Sequence, residues 1–352
     1  MSDTAHPLLP PGTPLLRRAA DADAVQVGGV DGGDGVLVGP AAAAVTDLLR
    51  GLDGRRTQGA VLDDAAGAGL EPRSVAALLD HLRVTGALVD LDAADLLASD
   101  AGPAAAARTA AEVPAARDPD GAVRWHARRR ASVVVEGATR VGVPLATLLA
   151  ASGVGRVSVR DEGVATAGDA VAGGLTAADE GRPRTLAAAD AVRRASPLTD
   201  LRPLPPGTTP DLVVLARPWG ASDPLLAGLH DAGVAHLVVA VRGDTGVVGP
   251  LVVPGVTSCL RCADLRRRDA DPHWPVLAAQ LTAADAPGGA TLTCWATALV
   301  AAQQALAYLD GSGSPAALSA SVELGPPGFV PRLRRWPPHP SCGCAGPTRP
   351  SG

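Results

Sequence analysis

Four of the five cysteines fall into two close pairs whose spacing is typical of a metal site. The first pair is Cys259-Leu-Arg-Cys262, in a loop after a Pro-Gly turn, and the second is Cys342-Gly-Cys344, in a Pro- and Gly-rich tail. Four thiolates from two such pairs can surround zinc tetrahedrally, so we predict a structural zinc site at Cys259, Cys262, Cys342 and Cys344. Free thiols or a disulfide clip are the alternatives. The second pair has one residue between its cysteines, whereas the usual Cys-x-x-Cys has two. His339 therefore remains an alternative ligand in place of one of these cysteines.

A glycine-containing turn follows the buried-type strand at 132–135 and reads Gly137-Ala-Thr-Arg-Val-Gly142. A dinucleotide fingerprint has a middle glycine that lets the backbone approach a phosphate, and Thr139 stands there instead. Asp161 ends the next strand, where a ribose-binding carboxylate belongs. We expect a Rossmann-type turn that keeps its geometry and has lost its nucleotide, with an anion at the helix N-terminus as the alternative.

The fifth cysteine, Cys294, stands at the start of a helix behind Thr291 and Thr293. A helix N-terminus can lower a thiol pKa and create a nucleophile. Its neighbours Trp295 and Ala298 favour a packed helix instead, in which cysteine is a small apolar residue. No Ser-His-Asp order or paired-carboxylate signature accompanies it, so we predict a packing role.

The first ninety or so residues have the pattern of a small α+β unit. We predict strands at 25–27, 36–38 and 87–89, and helices at about 41–50, 57–66 and 72–85. This combination is winged-helix-like, a shape often used for DNA binding. Its third helix carries only Arg73 and Arg83 as cations, beside Asp80 and near Glu71, so we discount that use.

Strands alternate with helices from Ser132 onward, which predicts a Rossmann-like, doubly wound α/β sheet. After Gly246 the pattern changes to short strands around two helices. We therefore predict a winged-helix-like domain over 1–95, a linker over 96–130, and a Rossmann-type domain over 131–352 that ends in the zinc staple.

The composition excludes several partners. The hydrophobic fraction of 47% is that of a globular chain, and 31 basic against 36 acidic side chains give a net charge of −5. Neither nucleic acid nor an anionic membrane is expected to bind through net charge. The start of the chain lacks a signal-peptide pattern and the apolar runs are short for a membrane span, so we expect a cytoplasmic protein with reduced thiols.

Several segments together resemble the ThiF/MoeB family of ubiquitin-activating-enzyme-like adenylyltransferases. They are Val133-Val-Val-Glu-Gly-Ala-Thr-Arg-Val-Gly142, Leu148-Leu-Ala-Ala-Ser-Gly-Val-Gly-Arg-Val157, Gly249-Pro-Leu-Val-Val-Pro-Gly255 and the two cysteine pairs. The resemblance covers about residues 125–345. It implies a family that activates a protein or peptide C-terminus with ATP, many of whose members hold a tetrathiolate zinc.

The chain departs from this family where the ATP chemistry is performed. The family's Asn-x-x-Arg-Gln segment is absent, Arg184 replaces a lysine, and Arg217-Pro218 follows the strand that should be followed by a magnesium-binding Asp. The resemblance therefore implies a vestigial nucleotide site at Gly137, Gly142, Asp161 and Arg184. We predict no adenylation, because phosphate charge would lack its metal.

A narrower resemblance is to the ThiF-like partner subunits of azoline-forming cyclodehydratases. It rests on Pro254-Gly-Val-Thr-Ser-Cys-Leu-Arg-Cys-Ala-Asp-Leu265, Asp271-Pro-His-Trp-Pro275, the ending His339-Pro-Ser-Cys-Gly-Cys344, and a PqqD-like pattern within 11–56. The resemblance implies a subunit that binds the leader of a ribosomal precursor peptide while a separate YcaO-type protein uses the ATP. It is compatible with a homodimer.

The leader site is expected at the edge of the small sheet. A peptide could add as a strand beside Val36, Leu37 and Val38, with Arg73 or Arg83 of the third helix available to an acidic leader. The alternative is an edge that packs against the chain's own larger domain. Two other functions compete with this scaffold: an active ATP-dependent adenylyltransferase, and an NAD-type oxidoreductase, the weakest because its fingerprint is broken.

Overall fold

The computed structural model of the chain describes residues 5–10, 12–17, 24–29, 35–39, 43–91, 121–218, 223–283, 289–311 and 313–344. The chain divides into two compact units, Met1–His126 and Ala127–Gly352. Most of the predicted linker, from residue 96 to residue 120, lies outside the described residues. Residues 121–130 of that linker are a helix.

The smaller unit combines short antiparallel strands with three helices. Its elements are β1 (His6–Leu8), β2 (Leu15–Arg17), β3 (Val25–Val27), β4 (Val36–Val38), α1 (Ala43–Arg50), α2 (Gln58–Gly67), α3 (Pro72–Val84) and β5 (Val89–Leu91). Strands β2, β3 and β4 form one antiparallel sheet in that order, and β1 pairs with β5 in another. The two valine-flanked strands and the three helices lie where the sequence predicts them.

Caps in this unit have the residues that helix ends require. The Thr57 hydroxyl accepts a hydrogen bond from the Ala60 amide, and the Glu71 carboxylate accepts from the Arg73 and Ser74 amides. Strands β1 and β2 are missing from the sequence prediction, and Pro7 within β1 argues against a strand there. The strand predicted at 87–89 begins two residues later than expected, as β5 (Val89–Leu91).

The larger unit contains a seven-stranded mixed sheet with helices on both faces. Its elements are α4 (Gly121–Arg130, whose first part precedes the division), β6 (Ser132–Glu136), α5 (Gly142–Ala151), β7 (Arg156–Arg160), α6 (Arg184–Ala195), β8 (Leu212–Leu215), α7 (Pro224–Asp231), β9 (His236–Arg242), β10 (Thr245–Val252), α8 (Leu260–Ala270), α9 (Trp274–Ala283), α10 (Thr291–Leu309), β11 (Ala320–Leu324) and β12 (Arg332–Arg335).

The sheet order is β12-β11-β10-β9-β8-β6-β7. Strands β7, β6, β8 and β9 are parallel, and β10, β11 and β12 extend the sheet antiparallel. This confirms the predicted Rossmann-like α/β class. The strand order reverses between β6 and β8, which is the position where ligands bind in doubly wound sheets.

The parallel strands are apolar throughout because both faces of the sheet are covered. Val133 and Val135 of β6 belong to a core with α5 and α10, whereas Val134 between them belongs to a core with α7 and α8. Side chains alternate across a strand, so adjacent valines serve opposite layers. Helix α5 is buried on nearly every side, which explains why its sequence carries no charged residue.

Helix α10 is, among the described helices, long and apolar enough by length and composition to cross a membrane. Its residues Cys294, Ala298, Ala301 and Ala305 are fully buried in the sheet core. Gly246 of β10 permits this close packing, since a Cβ there would lie 1.9 Å from the Thr297 hydroxyl. The placement is that of a core helix.

Candidate functional site

The first cysteine pair is positioned by the start of α8. Cys259 is the residue before the helix, and Cys262 lies in its first turn. The preceding turn is closed by Val256 and Thr257 amides that donate to the Val253 carbonyl. Positive φ at Gly255 (76°) allows that turn, which accounts for the Pro-Gly step in the sequence.

The C-terminal tail reaches this loop through hydrogen bonds to its backbone. The Ser258 hydroxyl donates to the Trp336 carbonyl, and the Arg266 guanidinium donates to the Pro337 and Pro338 carbonyls at 2.8 and 2.7 Å. Proline has no backbone amide donor, so this segment is held through its carbonyl groups. These carbonyls accept hydrogen bonds from Ser258 and from Arg266 of α8. The sequence analysis did not single out Ser258 or Arg266, although Ser258 lies in the quoted cysteine segment.

The four sulfur atoms meet in one cluster, as the sequence predicts. All lie within 4.8 Å of one another, and the separations are 3.9 Å for Cys259–Cys262, 3.5 Å for Cys259–Cys342 and 3.3 Å for Cys262–Cys344. Tetrahedral zinc with bonds of about 2.3 Å has sulfur–sulfur edges of about 3.8 Å. A disulfide needs about 2.05 Å, so the cluster fits a metal ion and all four thiols are free.

His339 is not one of the candidate ligands. Its Nε2 lies 2.7 Å from the Asp269 carboxylate, and its Nδ1 accepts the Ser341 amide at 3.1 Å. Both ring nitrogens are therefore engaged away from the cluster. Its main-chain amide instead donates a hydrogen bond to the Cys262 sulfur at 3.3 Å. Such a hydrogen bond from a residue that is not itself a ligand orients the sulfur.

The electrostatics of the cluster favour a bound cation. Burial raises the pKa of the Cys259 thiol, and burial likewise raises the pKa of Cys262. Burial also opposes ionisation of Cys344, but hydrogen bonds from Cys259, Cys262 and Cys342 outweigh it and lower the pKa of Cys344. Four neighbouring thiolates need a positive charge among them, which a metal ion supplies.

The turn after β6 retains a compact Rossmann-type geometry. Gly137 has a φ of 112°, and a Cβ there would lie 2.8 Å from the Ala216 carbonyl oxygen. A Cβ on Gly142 would lie 2.1 Å from the Gly137 oxygen, so both outer glycines are required by close backbone approach. Thr139, in place of the middle glycine, donates its hydroxyl to the Ala216 carbonyl and accepts the Gly142 amide, both at 3.0 Å.

A family model described as the ThiF family matches residues 121–344. The chain belongs to the ThiF family. No curated protein matches the sequence. Among solved structures, its fold is similar to E. coli MccB with ATP, at 14% identity and a TM-score of 0.57, over 97% of this chain and 99% of that one.

The microcin C7 biosynthetic enzyme MccB in complex with N-formylated MccA is similar at 14% identity and a TM-score of 0.56, with the same coverage. PaaA is similar at 15% identity and a TM-score of 0.51, over 75% of this chain and 91% of PaaA. At these identities the likeness shows a shared fold.

The remaining residues predicted for a vestigial nucleotide site, Asp161 and Arg184, lie close together. Asp161 accepts the Ala138 and Gly163 amides at 2.8 and 2.7 Å, and its carboxylate lies 3.8 Å from Arg184. Arg184 is bound more closely by Asp169, at 2.8 Å. Burial alone would raise the pKa of Asp169, but its hydrogen bonds with Thr166 and Arg184 outweigh burial and lower it.

The loop after β8 carries a guanidinium instead of a free carboxylate. Arg217 donates to the Asp223 carboxylate at 2.9 Å. The other oxygen of Asp223 caps α7 by accepting the Leu225 amide at 3.0 Å. Both carboxylate oxygens of Asp223, the next acidic residue along the chain, are thus engaged in hydrogen bonds within the protein. Residues 219–222 of this loop lie outside the described residues.

Strand β4 has one strand partner, β3, in the part of the chain that is described. The Gly28 amide donates to the Pro14 carbonyl, which sets the hydrogen-bond alternation of β2 and β3 and, through the register, that of β4. Val36 and Val38 therefore bond to β3, and the amide of Leu37 points away from the sheet. The Leu37 side chain is 53% exposed.

The two arginines expected to meet an acidic leader differ in their surroundings. Arg83 is held by Asp80 and Asp90, at 2.9 and 2.8 Å, and by the Gln58 side chain at 2.7 Å. Its guanidinium is already neutralised within the smaller unit, which corrects the expectation that it is available. Arg73 is exposed, and its guanidinium has no ion pair among the described residues.

Cys294 lies in the core, fully buried. Its thiol donates to the Gly289 carbonyl at 3.4 Å. A thiol with that burial and that partner matches the packing role predicted from its helix.

Proposed function

We propose that this ThiF-family chain is a non-catalytic scaffold. In this proposal it binds the leader of a ribosomal precursor peptide at its smaller unit and presents the peptide to a YcaO-type cyclodehydratase in the cytoplasm. The observation that carries the non-catalytic part is the Arg217–Asp223 ion pair beside the strand-order reversal. It puts a guanidinium where the family resemblance implies a magnesium-binding carboxylate.

Two further features support the scaffold. The Thr139 side chain bridges the turn that should cradle phosphates, and the outward amide of Leu37 offers a peptide a main-chain partner. A structural neighbour of the same fold was crystallised with N-formylated MccA. Leader binding at β4, the YcaO-type partner and a homodimer all belong to this proposal.

The cofactor in this proposal is one structural zinc per chain at Cys259, Cys262, Cys342 and Cys344. With four protein ligands the coordination sphere is closed, so the ion stabilises the tail and performs no chemistry. The sulfur separations and the buried thiols support zinc.

An active adenylyltransferase is the second candidate. It is favoured by the retained turn glycines Gly137 and Gly142, and by the similar fold of MccB crystallised with ATP. The two candidates differ in one measurable step, the reversible formation of an acyl adenylate.

Isotope exchange between pyrophosphate and ATP is expected to stay at background with the full-length protein, magnesium and a candidate precursor peptide. The physical reason is that Arg217 stands where a carboxylate would bind magnesium. Without that ion, the negative charge that develops on the phosphates is not stabilised. Exchange that depends on the peptide and disappears in Gly142→Ala protein would contradict the scaffold and establish the adenylyltransferase.

Substitution Leu37→Pro is expected to weaken binding of a fluorescent leader peptide to the full-length protein by about tenfold or more. Proline removes the outward amide of β4 and leaves the bonds of Val36 and Val38 to β3 in place. Fluorescence polarisation measures the affinity. Leu37→Ala is the matched control, because it removes the side chain and keeps the amide.

The leader should come from a small Cys/Ser/Thr-rich precursor encoded beside a YcaO-type gene. Equal affinities of the wild-type and Leu37→Pro proteins for such a leader would reject β4 as its site. Unchanged metal content in Leu37→Pro protein confirms that the larger unit is intact.

A further inference from the structure

Strand β12 forms the outer edge of the seven-stranded sheet, opposite β7, and is fully exposed. Its sequence is Arg332-Leu-Arg-Arg335, and it pairs with β11 from Ala320 to Glu323. In the described part of the chain it has no second strand partner. An open edge presents main-chain donors and acceptors to any extended segment of compatible charge.

Two guanidinium groups near this edge lie over the rings of two tryptophans. Arg267 of α8 lies over the Trp336 ring at 4.1 Å and over the Trp274 ring at 5.1 Å. Arg334 lies over Trp336 at 4.5 Å. Because Arg332, Arg334 and Trp336 alternate along the chain, their side chains share one face of the sheet.

Positive charge in this cluster exceeds the negative charge that the protein supplies. Arg334 has a distant partner in Glu323, at 4.0 Å, and in the described part of the chain Arg242 and Arg267 have no ion pair. Burial, together with the positive charges of Arg242 and Arg334, lowers the pKa of Arg267 to about 10, although Asp264 and Glu323 act in the opposite direction. An anion placed here would relieve this repulsion.

The backbone geometry shows which amides a partner could reach. The Trp336 amide donates to the Ser319 carbonyl at 2.7 Å, in register with the β11–β12 pairing. Hydrogen-bonded pairs alternate along an antiparallel ladder, so Arg334 and Arg332 also face β11. The amides of Leu333 and Arg335 face outward.

A pocket of about 380 Å³ adjoins the start of β12. Glu323, Pro326, Val330 and Arg332 contribute to its lining. Thr245 of β10 and Leu324 of β11 also line it, so the pocket lies at the end of these three strands rather than beyond the open edge of β12.

We propose that the β12 edge binds an extended acidic peptide as an additional strand, with alternate carboxylates over the Arg332/Arg334 face. The charge of the edge selects this occupant. A second copy of the chain would bring one basic edge against another, and like charges on paired strands repel. The inference concerns the larger unit and holds whether or not the smaller unit binds a leader.

The test uses the full-length protein and a fluorescein-labelled octapeptide of alternating Glu and Val, measured by fluorescence polarisation. The matched probe replaces each Glu by Gln. We expect the acidic peptide to bind at least about tenfold more tightly than the Gln peptide. A hydrogen bond between a guanidinium and a carboxylate is stronger than one between a guanidinium and a neutral amide. Its affinity should fall as salt is raised. Equal binding of the two peptides would overturn the proposal.

Substitutions in β12 distinguish binding through main-chain hydrogen bonds from binding through charge alone. Leu333→Pro should abolish binding, because it removes an outward amide and leaves the bonds to β11 intact, whereas Leu333→Ala should bind as the wild type does. Arg334→Gln should weaken the acidic peptide about tenfold. Leu37→Pro should have no effect, which distinguishes this site from the leader site.

Three further outcomes would overturn the inference. Unchanged binding by Leu333→Pro, with metal content and thermal unfolding as in the wild type, would show that β12 does not accept a strand. Loss of binding in Leu37→Pro would assign the peptide to the smaller unit. Tighter binding of a single-stranded DNA oligonucleotide than of the acidic peptide would show that the patch recognises phosphate.

Discussion

Serine in place of Cys344 is expected to release the metal from the protein and to lower its free energy of unfolding by several kcal/mol. Cys344 is the least buried of the four cysteines, so its loss removes a ligand with little change in packing. An ion present at about 1,000 times its dissociation constant contributes about 4 kcal/mol to stability. Metal analysis and thermal unfolding, with and without a chelator, measure both effects.

Cys294→Ser provides the matched control for this experiment. Its sulfur lies in the sheet core, and its hydrogen-bond partner is Gly289 rather than another cysteine. It should retain one metal per chain and remain sensitive to the chelator, while Cys344→Ser should have lost that sensitivity. Wild-type protein that contains no zinc after purification under reducing conditions would contradict the site.

Loss of the metal should also loosen the segment that joins β12 to the cysteines. Trp336, Pro337 and Pro338 are hydrogen-bonded to the Ser258 loop and to Arg266 of α8. The cysteine cluster and the cationic edge therefore share one stretch of chain. Limited proteolysis of Cys344→Ser protein should cut within this stretch first.

Asparagine in place of Asp310 is expected to destabilise the larger unit by about 3–5 kcal/mol. Asp310 follows the last turn of α10 and forms a two-pronged ion pair with Arg128, in which Nε donates at 3.0 Å. Arg128 also donates to the Ser152 carbonyl. The pair is buried, with 12% and 7% of the two side chains exposed, so the variant leaves a guanidinium without its counter-charge.

Denaturant unfolding of the full-length protein checks this value. The matched control is Asp47→Asn, which breaks the Arg50–Asp47 pair on α1, where 65% and 72% of the side chains are exposed. Exposed pairs contribute about 0–1 kcal/mol because water and salt screen them. A loss below about 1 kcal/mol in Asp310→Asn would contradict the role assigned to burial.

Local patterns in the sequence were sufficient for the fold class and for the cluster of four cysteines. The valine-rich run at β6 predicts a strand buried on both faces, and the alternation that follows it predicts a doubly wound sheet. Two cysteine pairs predict one cluster, since few other arrangements satisfy four thiols. These features depend on residue type and spacing over a few residues, and such information is contained in the chain itself.

Pairing over long distances was decided by the tertiary structure. The sequence does not show that β10, β11 and β12 join the parallel strands antiparallel, nor that β1 and β5 pair across the smaller unit. Local patterns predict some short strands, such as β3 and β4, but they do not show which strands become partners. Pairings such as that of β1 with β5 join strands that lie far apart in the chain. Their formation depends on the core that the rest of the unit provides.

The engagement of individual charged side chains was also decided by the fold. His339 is three residues from the predicted ligand Cys342, yet Asp269 and the Ser341 amide occupy its ring. Arg83 has a suitable charge for an acidic leader, yet Asp80 and Asp90 neutralise it. By contrast, folding brings Arg267 and Arg334 onto one tryptophan, where Arg334 has Glu323 at 4.0 Å and Arg267 has no ion pair among the described residues. Ion pairs form over a few ångströms between segments distant in sequence, so residue types show which charges exist and only packing determines which of them remain unpaired.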